Sequence, residues 1–154
     1  MMKFYDTSSL LLLGEDLFKE PFAISSITLS ELEEIKTSTR KDEDVKAAAR
    51  HLLHALEDHP TDYTVVVYNA HMGKHIDSAG LELNNDAKIL ACAVYYDRTY
   101  EPNKLTFVTN DLAQKTIAGL FFNREQLSSV QAQQDDYCGY TYGHFSDEAL
   151  ADLY

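Results

Sequence analysis

Four acidic residues stand where an apolar stretch gives way to a turn or to the start of a helix. They are Asp6 after Met2-Lys3-Phe4-Tyr5, Glu31 in Thr28-Leu29-Ser30-Glu31, Asp86 in Asn85-Asp86-Ala87, and Asp111 in Thr109-Asn110-Asp111. Taken singly, each reads as a helix-capping or first-turn acid, a role worth about 1 kcal/mol that needs no other purpose. As a constellation they read differently. Two unit charges about 4 Å apart repel by roughly 4 kcal/mol at an effective dielectric near 20, so gathered carboxylates must take up cations or protons. Hard oxygen donors with no partnering Cys or His favour Mg2+ or Mn2+ over zinc. Ions of that kind polarise a phosphodiester, activate a water and stabilise the leaving oxygen, so the chemistry implied is phosphodiester hydrolysis.

The elements that must position these acids follow from the apolar pattern. Residues 2–5 form a short apolar run ended by Asp6-Thr7-Ser8-Ser9, a buried strand feeding a helix whose inner side is Leu10 to Leu13 with Leu17 and Phe18, closed by Pro21. Residues 22–27 make a second strand, and Thr28-x-x-Glu31 has the form of a capping box, placing a helix start near Thr28 and Glu31 in its first turn. Over residues 42–59, Val45, Ala48, Ala49, Leu52, Leu53 and Leu56 recur at spacings of three and four, an amphipathic helix. Residues 63–68 are β-branched and aromatic, a strand expected to be covered on both faces.

Residues 69–83 are polar and read as irregular. Asn85-Asp86 caps a helix to about Asp97 with Ile89, Leu90, Ala93 and Val94 inward, residues 105–108 make another buried strand, and Asn110-Asp111 opens a helix through Ala118. Strands alternating with helices, without a hairpin signal, predict an α/β fold around a mostly parallel sheet. In such sheets successive strand carboxyl ends share one edge, where a crevice forms.

A chain of 154 residues is the size of one domain. Its longest apolar run, Leu10 to Leu13, is far below the roughly 20 residues of a membrane span, and no signal-peptide layout opens it, so a cytoplasmic location is expected. The net charge of -12 argues against a nonspecific nucleic-acid coat protein, since polyanion affinity comes from Lys and Arg. It leaves a nuclease open, because divalent ions offset the charge of a carboxylate site. Cys92 and Cys138 show neither metal spacing nor disulfide density, and Cys92 reads as core.

The four acidic blocks resemble those of the PIN-domain family. Lys3-Phe4-Tyr5-Asp6-Thr7-Ser8 is similar to the family's first strand and aspartate, Ile27-Thr28-Leu29-Ser30-Glu31-Leu32 to its second acidic block, Asn85-Asp86-Ala87-Lys88-Ile89-Leu90 to its third, and Phe107-Val108-Thr109-Asn110-Asp111 to its fourth. Order and spacing agree over residues 2 to about 122. The resemblance implies a three-layer α/β/α PIN-like domain with a central parallel sheet, and a metal-dependent endoribonuclease acting on single-stranded RNA. It implies that Asp6 and Asp111 ligate Mg2+ or Mn2+ most directly, with Asp86 beside them and Glu31 acting directly or through water, while Thr7 and Thr109 support the pocket.

Within the family, the long amphipathic helix, the Asn85 to Leu90 run and Asp136-Tyr137 look closest to the PIN domain of PhoH-type proteins. A nuclease domain over residues 1–134 would then be followed by a tail or linker, residues 135–154, leading to a missing C-terminal ATPase domain or serving for docking. No G-x-x-x-x-G-K-[ST] phosphate loop occurs in the sequence. Two rival readings stand beside the first: a toxin ribonuclease of the VapC kind with an antitoxin partner, and a non-catalytic PIN module that binds RNA or protein. Lys46 and Arg50, one helical turn apart, and Lys115, one turn after Asp111, are weaker candidates for contact with RNA phosphates. The Tyr-rich tail lacks basic neighbours, which favours contact with another domain or with a second subunit in a homodimer.

Overall fold

The computed structural model of the chain describes residues 2–100 and 104–130. Its elements in chain order are β1 (Met2–Tyr5), α1 (Thr7–Leu13), β2 (Phe22–Ser25), α2 (Ser26–Thr37), α3 (Glu43–Asp58), β3 (Tyr63–Val66), α4 (Ala70–Ser78), α5 (Asn85–Thr99), β4 (Leu105–Val108), α6 (Leu112–Ala118) and β5 (Leu127–Ser128). The five strands form one parallel sheet in the order β3-β2-β1-β4-β5. Helices cover both faces, so the expected three-layer α/β/α arrangement is the one found. Residues 131–154, which include Cys138 and the expected 135–154 tail, lie outside the described residues.

The period-2 alternation of side chains divides the apolar residues of the strands between two cores. Phe4, Ala23, Val66 and Phe107 face one side, against Met72 and Ile76 of α4 and Leu90 and Val94 of α5. Tyr5, Phe22, Ile24 and Val108 face the other, against Leu10 of α1, Leu32 of α2 and Leu52 of α3. Burying each of these large side chains contributes about 1.5–3 kcal/mol, and the paired layers explain why no strand can shift register by one residue without exchanging its two faces. Cys92 belongs to the first core, where burial pushes its thiol up to about 11.

Four local expectations are corrected. The first helix does not run to Pro21: it ends at Gly14, which takes a left-handed φ of 57°, and the chain continues as a 3-10 turn, Gly14–Lys19, that still buries Leu17. α2 begins at Ser26 rather than near Thr28, because the Ser25 hydroxyl caps it by accepting from the Ile27 amide at 3.0 Å. Glu31 consequently lies in the second turn, and the Thr28 side chain is turned inward and fully buried. β3 stops at Val66 and is an edge strand, half-exposed instead of covered on both faces, since only β2 pairs with it.

The last correction concerns residues 69–83, which contain the nine-residue helix α4 in place of the irregular segment expected. Met72 and Ile76, one turn apart, anchor it in the first core. Gly73 sits where the Tyr68 hydroxyl and the Leu83 side chain press onto the helix backbone, so a Cβ there would collide with Tyr68. The glycine and the polar outer face hide a helix whose stability comes from packing rather than propensity. Urea unfolding tests these assignments: Ser25→Ala should lower stability by about 1 kcal/mol as a lost cap. Leu90→Ala, at the fully buried centre of α5, should lower it by about 2–5 kcal/mol.

Candidate functional site

In the strand order β3-β2-β1-β4-β5, the chain winds outward from β1 in one direction and from β4 in the other, so the carboxyl ends of β1 and β4 flank a topological switch point. The register Tyr5↔Val108 places Asp6 and Thr109 side by side immediately beyond these two strands. The Asp6 amide continues the ladder by donating to the Val108 carbonyl at 3.2 Å.

Asp6 is 2% exposed and caps α1. Its Oδ1 accepts from the Ser9 amide at 2.9 Å and from the Ser8 hydroxyl at 3.3 Å, and its Oδ2 accepts from the Thr109 hydroxyl at 2.5 Å. Burial raises its pKa against the opposing pull of those bonds. The Thr109 oxygen in turn accepts from the Asp111 amide at 3.1 Å, so one buried hydroxyl ties the first acid to the fourth. Asp111 caps α6 through Oδ1, which accepts from the Ala113 amide at 2.9 Å and the Gln114 amide at 3.3 Å; its Oδ2 has no donor among the described residues.

Glu31 reaches the same region from α2. Its Oε1 accepts from the Thr7 hydroxyl at 2.5 Å, and the Asn85 side chain also bonds to the carboxylate. Burial raises its pKa, those two bonds lower it, and the charges of Glu34 and Asp6 raise it further. Thr7 is held at 3.1 Å from the buried Thr28 hydroxyl, so both threonines that follow from the acidic blocks act as orienting groups.

Asp86 differs from Asp6 and Asp111 because it caps nothing. Asn84 performs that role, its side chain accepting from the Ala87 amide at 2.9 Å, which corrects the expected Asn85-Asp86 cap and moves Asp86 into the first turn of α5. The Asp86 carboxylate accepts no hydrogen bond among the described residues. Its pKa is pushed up to about 7 by burial first, then by the charges of Glu31, Asp6 and Asp111. The other three predicted acids therefore all act on Asp86, which places the four along one rim.

No Lys, Arg or His among the described residues pairs with any of the four. Nor, among the described residues, do three His, Cys, Asp or Glu side chains stand close enough together to form a metal cage. Charge is felt well beyond the short ligand distances, roughly 2.0–2.6 Å, that Mg2+ or Ca2+ demands, so Asp86 registers the other three acids without the four forming such a cage. Asp6, Glu31 and Asp111 are drawn back onto their own hydroxyl and amide donors. What the rim provides is hard anionic oxygen, with Asp86 and one oxygen of Asp111 unsatisfied, a donor set that fits Mg2+ or Mn2+.

Of the weaker cation candidates, none pairs with the four acids. Lys46 lies on α3 and pairs with Glu43 at 3.0 Å, with Arg50 exposed one turn on, and α3 packs on α1 and α2 in the second core. Lys115 donates to the Ser129 hydroxyl at 3.0 Å. Sequence reasoning missed Ser9, fully buried and donating to the Val108 carbonyl at 3.1 Å, and Gln114, whose amide donates to the Asp86 carbonyl at 2.8 Å. The hydroxyl run after Asp6 was a visible signal for Ser9. Nothing in the sequence joined Gln114 to Asp86.

A family model described as PIN domain matches residues 5–120, a span that holds all four acids, and the chain belongs to that family. No curated protein matches the chain. Among solved structures, the chain is similar to one in the crystal structure of VapBC2 from Rickettsia felis bound to a DNA fragment from their promoter. The two are 18% identical over 84% of this chain and 98% of that chain, with a TM-score of 0.49.

The raised carboxyl groups have a signature in metal-free protein. The Asp86 pKa of about 7 lies above its ordinary 3.8, so the folded state holds more protons than the unfolded chain between those values. Its contribution to stability is full below the ordinary value and is lost as pH rises through about 7; Asp6 and Glu31, also raised, act in the same direction. Urea midpoints in chelator should be lower at about pH 8 than at about pH 5, and Asp86→Asn should narrow that difference.

Proposed function

We propose that the chain is a metal-dependent endoribonuclease that hydrolyses phosphodiester bonds of single-stranded RNA, with Asp6, Glu31, Asp86 and Asp111 holding Mg2+ or Mn2+. Membership of the PIN-domain family supports the nuclease class. The observation that supports the metal requirement is an Asp86 carboxylate on which the charges of Glu31, Asp6 and Asp111 all bear, with none of the four paired to a cationic side chain among the described residues. A pure binding module would gain nothing from that repulsion.

Bound at the rim, the ions would supply Lewis-acid charge to the phosphodiester and lower the pKa of a water. The chain's own residues prepare the site for them. Asp6 is fixed by Thr109, Ser9 and Ser8, and Glu31 is fixed by Thr7 and Asn85, so neither must be ordered when ligands arrive. Asp86 and the free oxygen of Asp111 supply acceptors that have no competing protein donor among the described residues. The amino terminus of α5, whose first turn carries Asp86, puts the positive end of its dipole at the rim, which favours an approaching phosphate.

Cleavage of single-stranded RNA with magnesium or manganese is the direct test. Asp6→Asn and Asp111→Asn should each lose about a hundredfold or more, and Thr109→Val, which removes only the orienting hydroxyl, about 10–100-fold. Wild-type protein that cuts no faster than the Asp6→Asn and Asp111→Asn proteins across varied substrates would end the nuclease reading. Calorimetry adds an independent check. Manganese should give a binding heat that Asp86→Ala abolishes, and at about 100 times its Kd it should stabilise the wild type by about 2.7 kcal/mol.

A further inference from the structure

Beside the carboxylate rim lies a cleft of about 300 Å³, between the connection from α4 to α5 and the first turns of α6. Asp86 and Asp111 form its border with the rim, so whatever lies in the cleft adjoins two of the four acids. Its volume falls at the lower end of the range for ligand sites, roughly 300–1,000 Å³, which suits a single planar ring system. Leu81, Ala87, Ala113 and Ile117 give it apolar walls.

The deeply buried polar group of the cleft is an acceptor. Gln114 is 3% exposed, and its amide nitrogen donates to the Asp86 carbonyl. Because a carbonyl can only accept, that bond fixes which end of the amide is which, leaving Oε1 as a buried acceptor with no protein donor among the described residues. A buried acceptor without a donor is costly and calls for a partner that brings an N–H or O–H. Glu82 adds a carboxylate on the same cleft, a second acceptor. The Asn84 oxygen is already engaged by the Ala87 amide, so this exposed side chain adds no free acceptor and brings only its amide N–H groups, at the outer edge of the cleft.

We propose that this cleft receives the base next to the cleaved phosphodiester and selects bases with an exocyclic amino group, adenine, cytosine or guanine, over uracil. The inference rests on the nuclease reading, which places a phosphodiester at Asp86 and Asp111. An unstacked base offers flat faces to the apolar walls and its polar edge to Gln114 and Glu82. An amino group gives both acceptors hydrogens. Uracil sets two carbonyl oxygens around its single edge N–H, and these repel the Glu82 carboxylate.

The test uses otherwise identical single-stranded RNAs with A, C, G, U or an abasic residue at the position beside a mapped cut, incubated with manganese. Wild type should cut the three amino-bearing substrates about tenfold faster than the uracil and abasic ones. Glu82→Ala should shrink that ratio and Glu82→Asp should restore it. Ala113→Phe, which fills the cleft, should bring the ratio to about one, with thermal melting confirming that the variant is folded. The ratio is internal to each protein and is independent of its overall rate. Equal cutting of all five substrates with manganese-dependent activity intact, or an unchanged ratio in Ala113→Phe, would overturn the cleft's role and leave the nuclease reading standing. No manganese-dependent cutting of any substrate would remove both.

Discussion

A carboxylate with 2% of its surface exposed, set at the junction of two parallel strands, is a costly thing to build, and the rest of this site depends on how the cost is met. Asp6 stays in place because β1 and β4 are paired in a register that delivers the Thr109 hydroxyl to one carboxylate oxygen while the first turn of α1 delivers an amide to the other. Thr109 then reaches Asp111 through its amide. The sheet thus sets the separation of two acids 105 positions apart in the chain through one ladder and one hydroxyl. Any slip in that ladder would turn Tyr5 and Val108 out of their core and dismantle the rim with it.

The rim is arranged against stability. Desolvation raises the affinity of Asp6, Glu31 and Asp86 for protons, neighbouring negative charge raises that of Glu31 and Asp86 further, and no cationic side chain among the described residues relieves them. The two cores on either side of the sheet are the counterweight, with fully buried Phe4, Phe22, Phe107, Leu32 and Leu90 holding the strands and helices whose ends carry the acids. Binding a doubly charged ion would reverse the sign of the electrostatic problem, converting repulsion into ligation. Functional sites commonly carry such local strain, supported by packing elsewhere.

Much of the architecture was legible in the linear pattern. The strands at residues 2–5 and 105–108 and the helix from Glu43 to Asp58 appear where short apolar runs and a 3.6-residue period put them, because strong burial leaves a strong pattern. The elements that escaped were those stabilised by single contacts. α4 depends on two buried side chains and a glycine fitted under Tyr68, and the start of α2 depends on which of several hydroxyls turns back to cap it. Local sequence offers the hydroxyls of Ser25, Ser26 and Thr28 alike. Tertiary packing chooses, burying Thr28 against Thr7 and sending the Ser26 hydroxyl to the Tyr68 amide.

By itself the sequence determined the parallel α/β layout and which acids stand at the ends of strands and the starts of helices, since hydrophobic period and turn chemistry are local properties of the chain. It could not determine which carboxylates are consumed as caps. Asp6 and Asp111 are capping residues, Asp86 is not, and Glu31 lies one turn deeper than its motif suggests. Nor could it show that Gln114 leans on Asp86 or that a cleft opens beside them. Those facts arise from how α5 and α6 meet at the sheet edge, a through-space relation between segments whose separation along the chain carries no record of it.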